Sequence, residues 1–492
     1  MLLNEIIDIP GLSYVCTNGK NLKDFDVKDI TRDTREVKEG SLFIAVVGER
    51  IDGHDLIDEA ISNGANVIVY CKHITNFHED VCYIKVKDTR EAMPLISMSF
   101  CHVTAADLKI LGVTGTNGKT TSVFMMKHIL ETTGKKVGLI GTVANYIGDK
   151  KYVAERTTPE SIELFKLIKE MKLAGCEFCV MEVSSHASVL GRTKGLRFER
   201  GMFSNLTQDH MDFHKTFEEY YKAKFKFIDS ADSCVINVDD TYGQDMVLDS
   251  SKLTMDKRIV TTYGLNSGHF RAKNIDISTN GSSFDLYIGE DNKGRVNLHI
   301  PGLYNIYNAL GVIATLVGYD YVTVEDVIKA FDTMKAVDGR CEKVYHEKLK
   351  STVVIDYAHT PDGMDNILKT MREVATGRLI SVFGCGGDRD SSKRPIMAGI
   401  SCQYSDLTII TSDNPRTEDP DLIIKDVVAG AFGEYKVIKD RKEAIEYAVS
   451  IADEDDIVLI MGKGHEDYQI IGTTKYHFSD KETVLNYLDK SE

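Results

Sequence analysis

The sequence predicts an α/β protein built in three segments, and three observations carry that prediction. Short apolar stretches alternate with helix-forming ones over most of the chain. Most strands end in glycine or in a small polar cluster, where a helix would begin. The length of 492 residues suggests about three domains. Segment boundaries are expected at 1–106, 107–336 and 337–492.

In the first segment, SLFIAVVG (41–48) predicts a strand, HDLIDEAISNGA (54–65) a helix ending at glycine, and NVIVY (66–70) a strand. TREAMPLISMSFCHVT predicts a helix approaching the boundary. From Leu108 the alternation is regular: strand LKILGVTG, helix KTTSVFMMKHILETTG, strand KVGLIGT, helix PESIELFKLIKEMKLAG, strand FCVMEVSS. Strands GMFSNL and SCVINVD then flank the helix TFEEYYKAKFKFIDS. This pattern predicts a mostly parallel sheet covered by helices. Gly-punctuated strands near 259–300 predict an antiparallel appendage, followed by the helix YNIYNALGVIATLVGY. From Val337, TVVIDYAHT, LISVFGCGG, LTIITSD and DIVLIMGKG are the clearest strands. Ligands of open α/β sheets collect at such carboxyl ends. No low-complexity tract and no solenoid-period repeat is present.

Composition narrows the function classes. A net charge of 59 − 75 = −16 argues against a general nucleic-acid binder, while leaving room for small anions held by local cations and backbone N–H groups. There is no apolar run of about 18 residues, so no membrane span is expected. MLLNEIIDIPGLSYV carries acids and lacks a basic leader, so no signal peptide is expected and a cytoplasmic location is. The ten cysteines are scattered, as in a reduced protein. The C-x-x-C of Cys176 and Cys179 starts a buried strand with no second pair nearby, which favours a structural role.

The stretch GVTGTNGKTT (112–121) carries the first chemistry. Strand, tight turn and helix come in the order of a phosphate-binding loop. The common spacing G-x-x-x-x-G-K-[ST] would need glycine at Val113, so the glycines are tightened to Gly115 and Gly118. These glycines let backbone N–H groups approach phosphate, and the helix N-terminus adds its dipole. Lys119 can reach the β- and γ-phosphates, and the Thr120 hydroxyl can sit on Mg²⁺. Glu182 of MEVSSH and His210 of SNLTQDHMDFH follow strands and could complete a magnesium site. The same segment holds Ser184 and Asp212. The H-x-x-x-H of His210 and His214 is no zinc-protease motif, since Met211 replaces the required Glu, and His214 is expected to cap or pack. Lys215, Lys222, Lys224 and Lys226 share one helix, where pattern alone puts each on a solvated face.

GTNGKTT, EVSSH, NLTQDHMDFH, EEYYKAKFKF, GLYNIYNAL, GRCE, DYAHTPDG and GKGHE together resemble the Mur ligases of bacterial peptidoglycan synthesis, in order and approximate spacing over nearly the whole chain. The opening DTREVKEGSLFIAVVGERIDGHD resembles the N-terminal uridine-nucleotide domain of the family's tripeptide-forming branch. The resemblance implies a UDP-sugar-binding first segment, a central ATPase segment with the phosphate loop, and a Rossmann-like third segment closing on ATP and the amino acid. It implies amide-bond formation through an acyl phosphate, in which the protein positions groups and neutralises charge.

It further implies two Mg²⁺ at Thr120, Glu182, His210 and Lys224, the lysine carbamylated by CO₂; a depressed lysine pKa is its physical requirement. Family nucleotide contacts match Gly115, Thr116, Asn117, Gly118, Lys119, Thr120, Thr121, Asn305, Asn308, Arg340, Asp356 and His359. The UDP-sugar dipeptide contacts match Thr34, Arg50 of the Gly48–Gly53 loop, Thr157, Thr158, Ser184 and Arg192. Thr34 stands where Ser is usual, Leu190 where Gln is frequent and Arg156 where Asn is frequent.

TSDNPRTEDP speaks to the amino acid added. Pro415 stiffens a turn that presents Arg416, whose planar fork suits a carboxylate. meso-Diaminopimelate ends in a second amino-acid head, whereas L-lysine ends in an ammonium. The turn Asp413, Asn414, Pro415, Arg416 is the family's signature for diaminopimelate, and Arg389, Gly462 and Glu466 match its other contacts. The alternatives are a lysine-adding ligase, a folylpolyglutamate synthetase-like ligase without this turn, and a nucleotide-gated regulator without turnover. The last is opposed by intact Lys119, Glu182, His210 and Lys224. A monomer is expected.

Overall fold

The structure is a computed structural model that describes residues 1–48, 51–104, 106–211, 213–253 and 259–490. An N-terminal five-stranded sheet has the spatial order Tyr14–Cys16, Cys82–Val86, Ala65–Tyr70, Ser41–Ile44, Asp29–Thr31. All neighbours are parallel except the antiparallel edge Tyr14–Cys16. Its strands are apolar on both faces because both faces are covered. Leu42, Ile44, Val67, Val69 and Ile84 pack with the helices Leu3–Ile7 and Thr89–Phe100, while Phe43, Ile68, Tyr70 and Tyr83 pack with Ile57–Ser62. The expected strand 41–48 is regular only to Ile44, and the expected helix 54–65 opens as a 3₁₀ turn, Gly53–Leu56.

The central sheet has eleven strands, in the order Asp291–Leu298, Gly281–Ile288, Phe270–Ser278, Val260–Gly264, Ala231–Asn237, Phe198–Phe203, Lys109–Thr114, Phe178–Glu182, Val137–Ile140, Asn145–Ile147, Lys150–Tyr152. The antiparallel appendage expected near 259–300 needs correction. Val260–Gly264 is parallel to both its neighbours, and antiparallel pairing begins only with Phe270–Ser278 against Gly281–Ile288. The hairpin Asn145–Ile147 and Lys150–Tyr152 carries little apolar pattern and was not read from the sequence. A six-stranded sheet follows in the C-terminal third, ordered Glu342–Val344, Thr352–Asp356, Ile457–Met461, Leu379–Phe383, Leu407–Ile410, Tyr435–Val437, and parallel except at its first strand. All four strands expected there are present, and two apolar layers cover its faces.

Compactness separates the chain into two units. The first comprises Met1–Gly112, Lys135–Gly201 and Lys226–Asp232; the second comprises Val113–Gly134, Met202–Phe225 and Ser233–Glu492. Among the described residues no helix is long and apolar enough to cross a membrane.

Candidate active site

The strand Lys109–Thr114 ends in the glycine loop, which belongs to the second unit, and the helix Lys119–Thr132 begins at once. Gly115 and Gly118 have φ of +151° and +87°. A Cβ at Gly115 would lie 1.8 Å from Ser204 Oγ, and one at Gly118 would lie 2.2 Å from Asn308 Oδ1. Only glycine fits either place. Lys119 Nζ donates to the carbonyls of Gly115 and Thr116, each at 2.8 Å. Thr120 and Thr121 are buried in the helix's first turn, where N–H groups and dipole favour an anion. Thr116 Oγ1 donates to the Thr207 carbonyl at 3.1 Å and shares a hydrogen bond with the Tyr220 hydroxyl.

Lys224 does not sit on a solvated face. It is 1% exposed, donates to the Gly115 carbonyl at 2.7 Å and lies over the Tyr220 ring. Two lysine amines therefore converge on one carbonyl oxygen. Burial first, and the Lys119 charge second, push Lys224 well below the usual lysine range, against the pull of Asp209. The free amine is thereby favoured. Burial opposes ionisation of Asp209, but His210, His359 and Lys393 outweigh it and hold the carboxyl below the usual range. His210 adopts φ +55° and pairs with Asp209 at 3.3 Å. His214 is buried with its ring against Tyr220, the packing role expected of it. Asp212 lies outside the described residues.

A cavity of about 290 Å³ adjoins the loop in the same unit, lined by Asn117, Gly118, Asn305, Asn308, Arg340, Asp356 and His359. With Thr121, which also lines it, eight residues expected to contact nucleotide are brought together. Arg340 donates to Thr120 Oγ1 at 3.1 Å and stacks on Tyr357. Asp356 accepts the N–H groups of Cys341 and Ala358, both at 2.7 Å. Burial still raises its pKa, with Arg340 opposing. Burial likewise lowers that of His359, whose Nδ1 lies 2.8 Å from the Tyr357 carbonyl. Asp362 was missed in the sequence: it accepts from Asn117 Nδ2 and Thr207 Oγ1 at the start of the helix Pro361–Val374. A larger cavity, about 690 Å³ and lined by Asp332, Lys335, Glu342 and Lys481 among others, contains none of the expected contacts.

The first unit gathers a second set. Glu182, buried at the end of its strand, accepts from Thr142 N at 2.8 Å and Thr142 Oγ1 at 3.1 Å. Thr142 Oγ1 also lies 3.0 Å from Thr157 Oγ1. Thr158 Oγ1 donates to the Glu182 carbonyl at 2.8 Å and accepts from Ser184 N at 3.1 Å. Ser184 caps the short helix Ser185–Val189. Arg192 is buried, donates to the Thr158 carbonyl and pairs with Glu160 at 2.7 Å; Arg156 reaches the same carboxylate at 3.5 Å. Glu160, unremarked in the sequence, is the anion that orders both arginines. Thr34 is buried in a 3₁₀ turn apart from these contacts, its carbonyl accepting from Asn63. Arg50 lies outside the described residues.

A third set lies at strand ends of the six-stranded sheet. Asp413 and Asn414 are buried, and Arg416 is half-buried with φ +51°. Arg416 Nη1 donates to the Gly387 carbonyl at 2.7 Å. The turn is fixed to the strand Tyr468–Ile471 by Arg416 N to the Ile470 carbonyl and Gly472 N to the Arg416 carbonyl. Asn414 Nδ2 donates to Glu466 at 2.9 Å. A Cβ on Gly462 would lie 2.7 Å from Asp413 Oδ2, so glycine leaves room for that carboxylate. Arg389 is exposed and donates to the Asp388 carbonyl at 3.0 Å. Lys463, missed in the sequence, is fully buried between these groups. Its place beside two glycines after an all-buried strand was the available signal.

Among the described residues no three His, Cys, Asp or Glu side chains form a metal-binding cluster. Mg²⁺ needs none, since it keeps waters and takes one or two protein ligands beside phosphates. The Thr120 hydroxyl at a phosphate loop fits that habit.

Residues 113–316 match the family model described as the Mur ligase middle domain, 339–464 the Mur ligase glutamate ligase domain, and 26–100 the Mur ligase family catalytic domain. The chain is 48% identical to UDP-N-acetylmuramoyl-L-alanyl-D-glutamate–2,6-diaminopimelate ligase 1 of Clostridium acetobutylicum, covering 99% of both chains. It is 42% identical to the ligase of that name from Clostridioides difficile, covering 100% of both. A solved structure titled as a UDP-N-acetylmuramoyl-L-alanyl-D-glutamate–2,6-diaminopimelate ligase matches with a TM-score of 0.69 at 28% identity, covering 99% of both.

Proposed function

The chain belongs to the Mur ligase family, and from that premise we propose that it joins meso-2,6-diaminopimelate to the D-glutamate of UDP-N-acetylmuramoyl-L-alanyl-D-glutamate. ATP is cleaved to ADP and phosphate as the amide forms. One observation carries the reading most: a glycine-bound phosphate loop whose Lys119 shares a carbonyl with a buried, amine-favouring Lys224.

In this reading Lys119 and the first turn of Lys119–Thr132 hold the ATP phosphates, and Asn305, Asn308, Arg340, Asp356 and His359 line the nucleotide cavity. The substrate carboxylate takes the γ-phosphoryl group and ADP leaves. The incoming amine attacks the acyl carbon, loses a proton, and phosphate departs. Thr120, His210 and Lys224 are the Mg²⁺ ligands assigned within the second unit, and Glu182 is retained by its carboxylate chemistry. Bound Mg²⁺ supplies charge neutralisation to the phosphates. A neutral Lys224 amine can take up CO₂, releasing one proton and leaving an anionic carbamate that could bind a metal. Thr34, Arg50, Thr157, Thr158, Ser184 and Arg192 are assigned to the UDP-sugar dipeptide. Arg389, Asp413, Asn414, Pro415, Arg416, Gly462 and Glu466 are assigned to diaminopimelate. The assigned domains are 1–106, 107–336 and 337–492, in a cytoplasmic monomer.

The test is phosphate release from ATP with the UDP-muramoyl dipeptide, against a panel of amino acids. Release that depends on diaminopimelate and is weak with L-lysine is expected. Equal use of lysine would overturn the substrate assignment, and release without any amino acid acceptor would overturn the ligase itself.

A further inference from the structure

The Lys463 side chain is fully buried, yet it reaches three groups assigned above to the amino-acid substrate. Its Nζ donates to Asn414 Oδ1 and Glu466 Oε2, each at 3.2 Å, and lies 3.8 Å from Asp413 Oδ1. Asn414 spends its remaining capacity on the same frame, with Nδ2 to Glu466 and Oδ1 accepting from Ile470 N at 2.9 Å. Burial first, and Glu466 second, push the Tyr468 hydroxyl above its ordinary range, and the Arg416 charge opposes them; the Lys463 amine lies 5.6 Å from the centre of the same ring. The nearby Arg441 is neutralised by its own partner, Asp480, at 2.8 Å.

Two carboxylates, Asp413 and Glu466, therefore stand with two cations, Lys463 and Arg416, among the groups assigned to diaminopimelate; the remaining cation, Arg389, is offset by Asp388 beside it, so the formal charges cancel. A neutral pocket with separated poles suits a head group that is itself neutral with separated poles: an ammonium and a carboxylate on one carbon. We propose that Lys463 sets this balance, and so is a specificity-determining residue that acts by positioning and half-neutralising the acidic pole without touching substrate. Remove its charge and the pocket becomes net negative, which suits a lone ammonium. The inference rests on the diaminopimelate reading and deepens it.

Two neutral variants separate charge from shape: Lys463→Gln keeps a donor toward Asn414, and Lys463→Met keeps only bulk. Both should raise the ratio of kcat/KM for L-lysine over that for diaminopimelate by about tenfold or more, mainly through KM, as expected for loss of a buried charge partner. KM for ATP and for the UDP-muramoyl dipeptide should stay within about twofold, since a change in one pocket leaves separate ones alone. An unchanged ratio, with both amino acids losing equally, would overturn the proposal. Should neither variant fold, the native enzyme decides with 2-aminopimelate, whose distal end is a carboxylate alone. It should be used at least about tenfold less well than diaminopimelate, because the acidic pole would lose its ammonium. Equal use would mean that the acidic pole contributes nothing, and the proposal falls. A native enzyme indifferent to diaminopimelate would be recognised separately, as the failure of the functional reading and of this inference with it.

Discussion

Arg416 and Lys224 show what single residues decide. Arg416 is held at φ +51° with its guanidinium on the Gly387 carbonyl, a preset fork for a carboxylate. Arg416→Ala should weaken diaminopimelate by about 2–5 kcal/mol, partly because its carboxylate is left unpaired, while the KM values for ATP and dipeptide barely move. Steady-state kinetics with each substrate varied in turn checks this. Lys224→Ala should lose nearly all phosphate release, and added short-chain carboxylates should restore part of it; full activity would remove this lysine from the metal site. Lys224 also shows how legibility depends on periodicity. Counting lysines put it in solvent, yet Tyr220, Ala223, Phe227 and Ile228 trace the buried stripe of its helix, and 224 falls inside that stripe. Glu160 and Asp362 carry no such trace, because their partners are far along the chain or reached only through a loop.

At the scale of elements, the loop-to-helix junction and the buried ion pair behind the amino-acid pocket make distinct predictions. Gly118→Ala forces an L-residue to φ +87° and its Cβ to 2.2 Å from Asn308 Oδ1. ATP binding should fall sharply, read by calorimetry with ADP, with the overall fold kept. Arg441 and Asp480 are buried together, and Arg441 Nη2 also donates to the Met461 carbonyl at the end of its strand. Arg441→Met leaves Asp480 unpaired and should cost about 3–5 kcal/mol in chemical denaturation. Strands bounded by glycine were read well because an all-buried parallel strand is a continuous apolar run, as in Val137–Ile140 and Ile457–Met461. Tyr435–Val437 and Thr474–His477 escaped notice because every residue in them is exposed, leaving no hydrophobic period to read. The parallel pairing of Val260–Gly264 is a tertiary choice that its local sequence does not record.

For the molecule as a whole, the lowered pKa of Lys224 links stability to pH. The unfolded chain binds this proton more tightly than the folded one, so stability rises with pH between the depressed folded value and the ordinary value of 10.5. Below that window the full penalty is present. In CO₂-free, metal-free buffer, Lys224→Met should be more stable than the native chain at neutral pH, with the rise toward pH 10.5 flattened. Thermal unfolding across that range checks both; a variant no more stable than native at pH 7 would contradict them.

The helix that carries the phosphate loop, Lys119–Thr132, packs against Leu303–Leu316, and Gly118 sits against Asn308. That places a timetable on synthesis. A nascent chain that has just exposed its glycine loop must wait for nearly two hundred further residues to emerge before the loop's helix finds its partner. Until then the side of the helix that meets Leu303–Leu316 lacks its native cover, the kind of transient exposure that a chaperone shields on the ribosome.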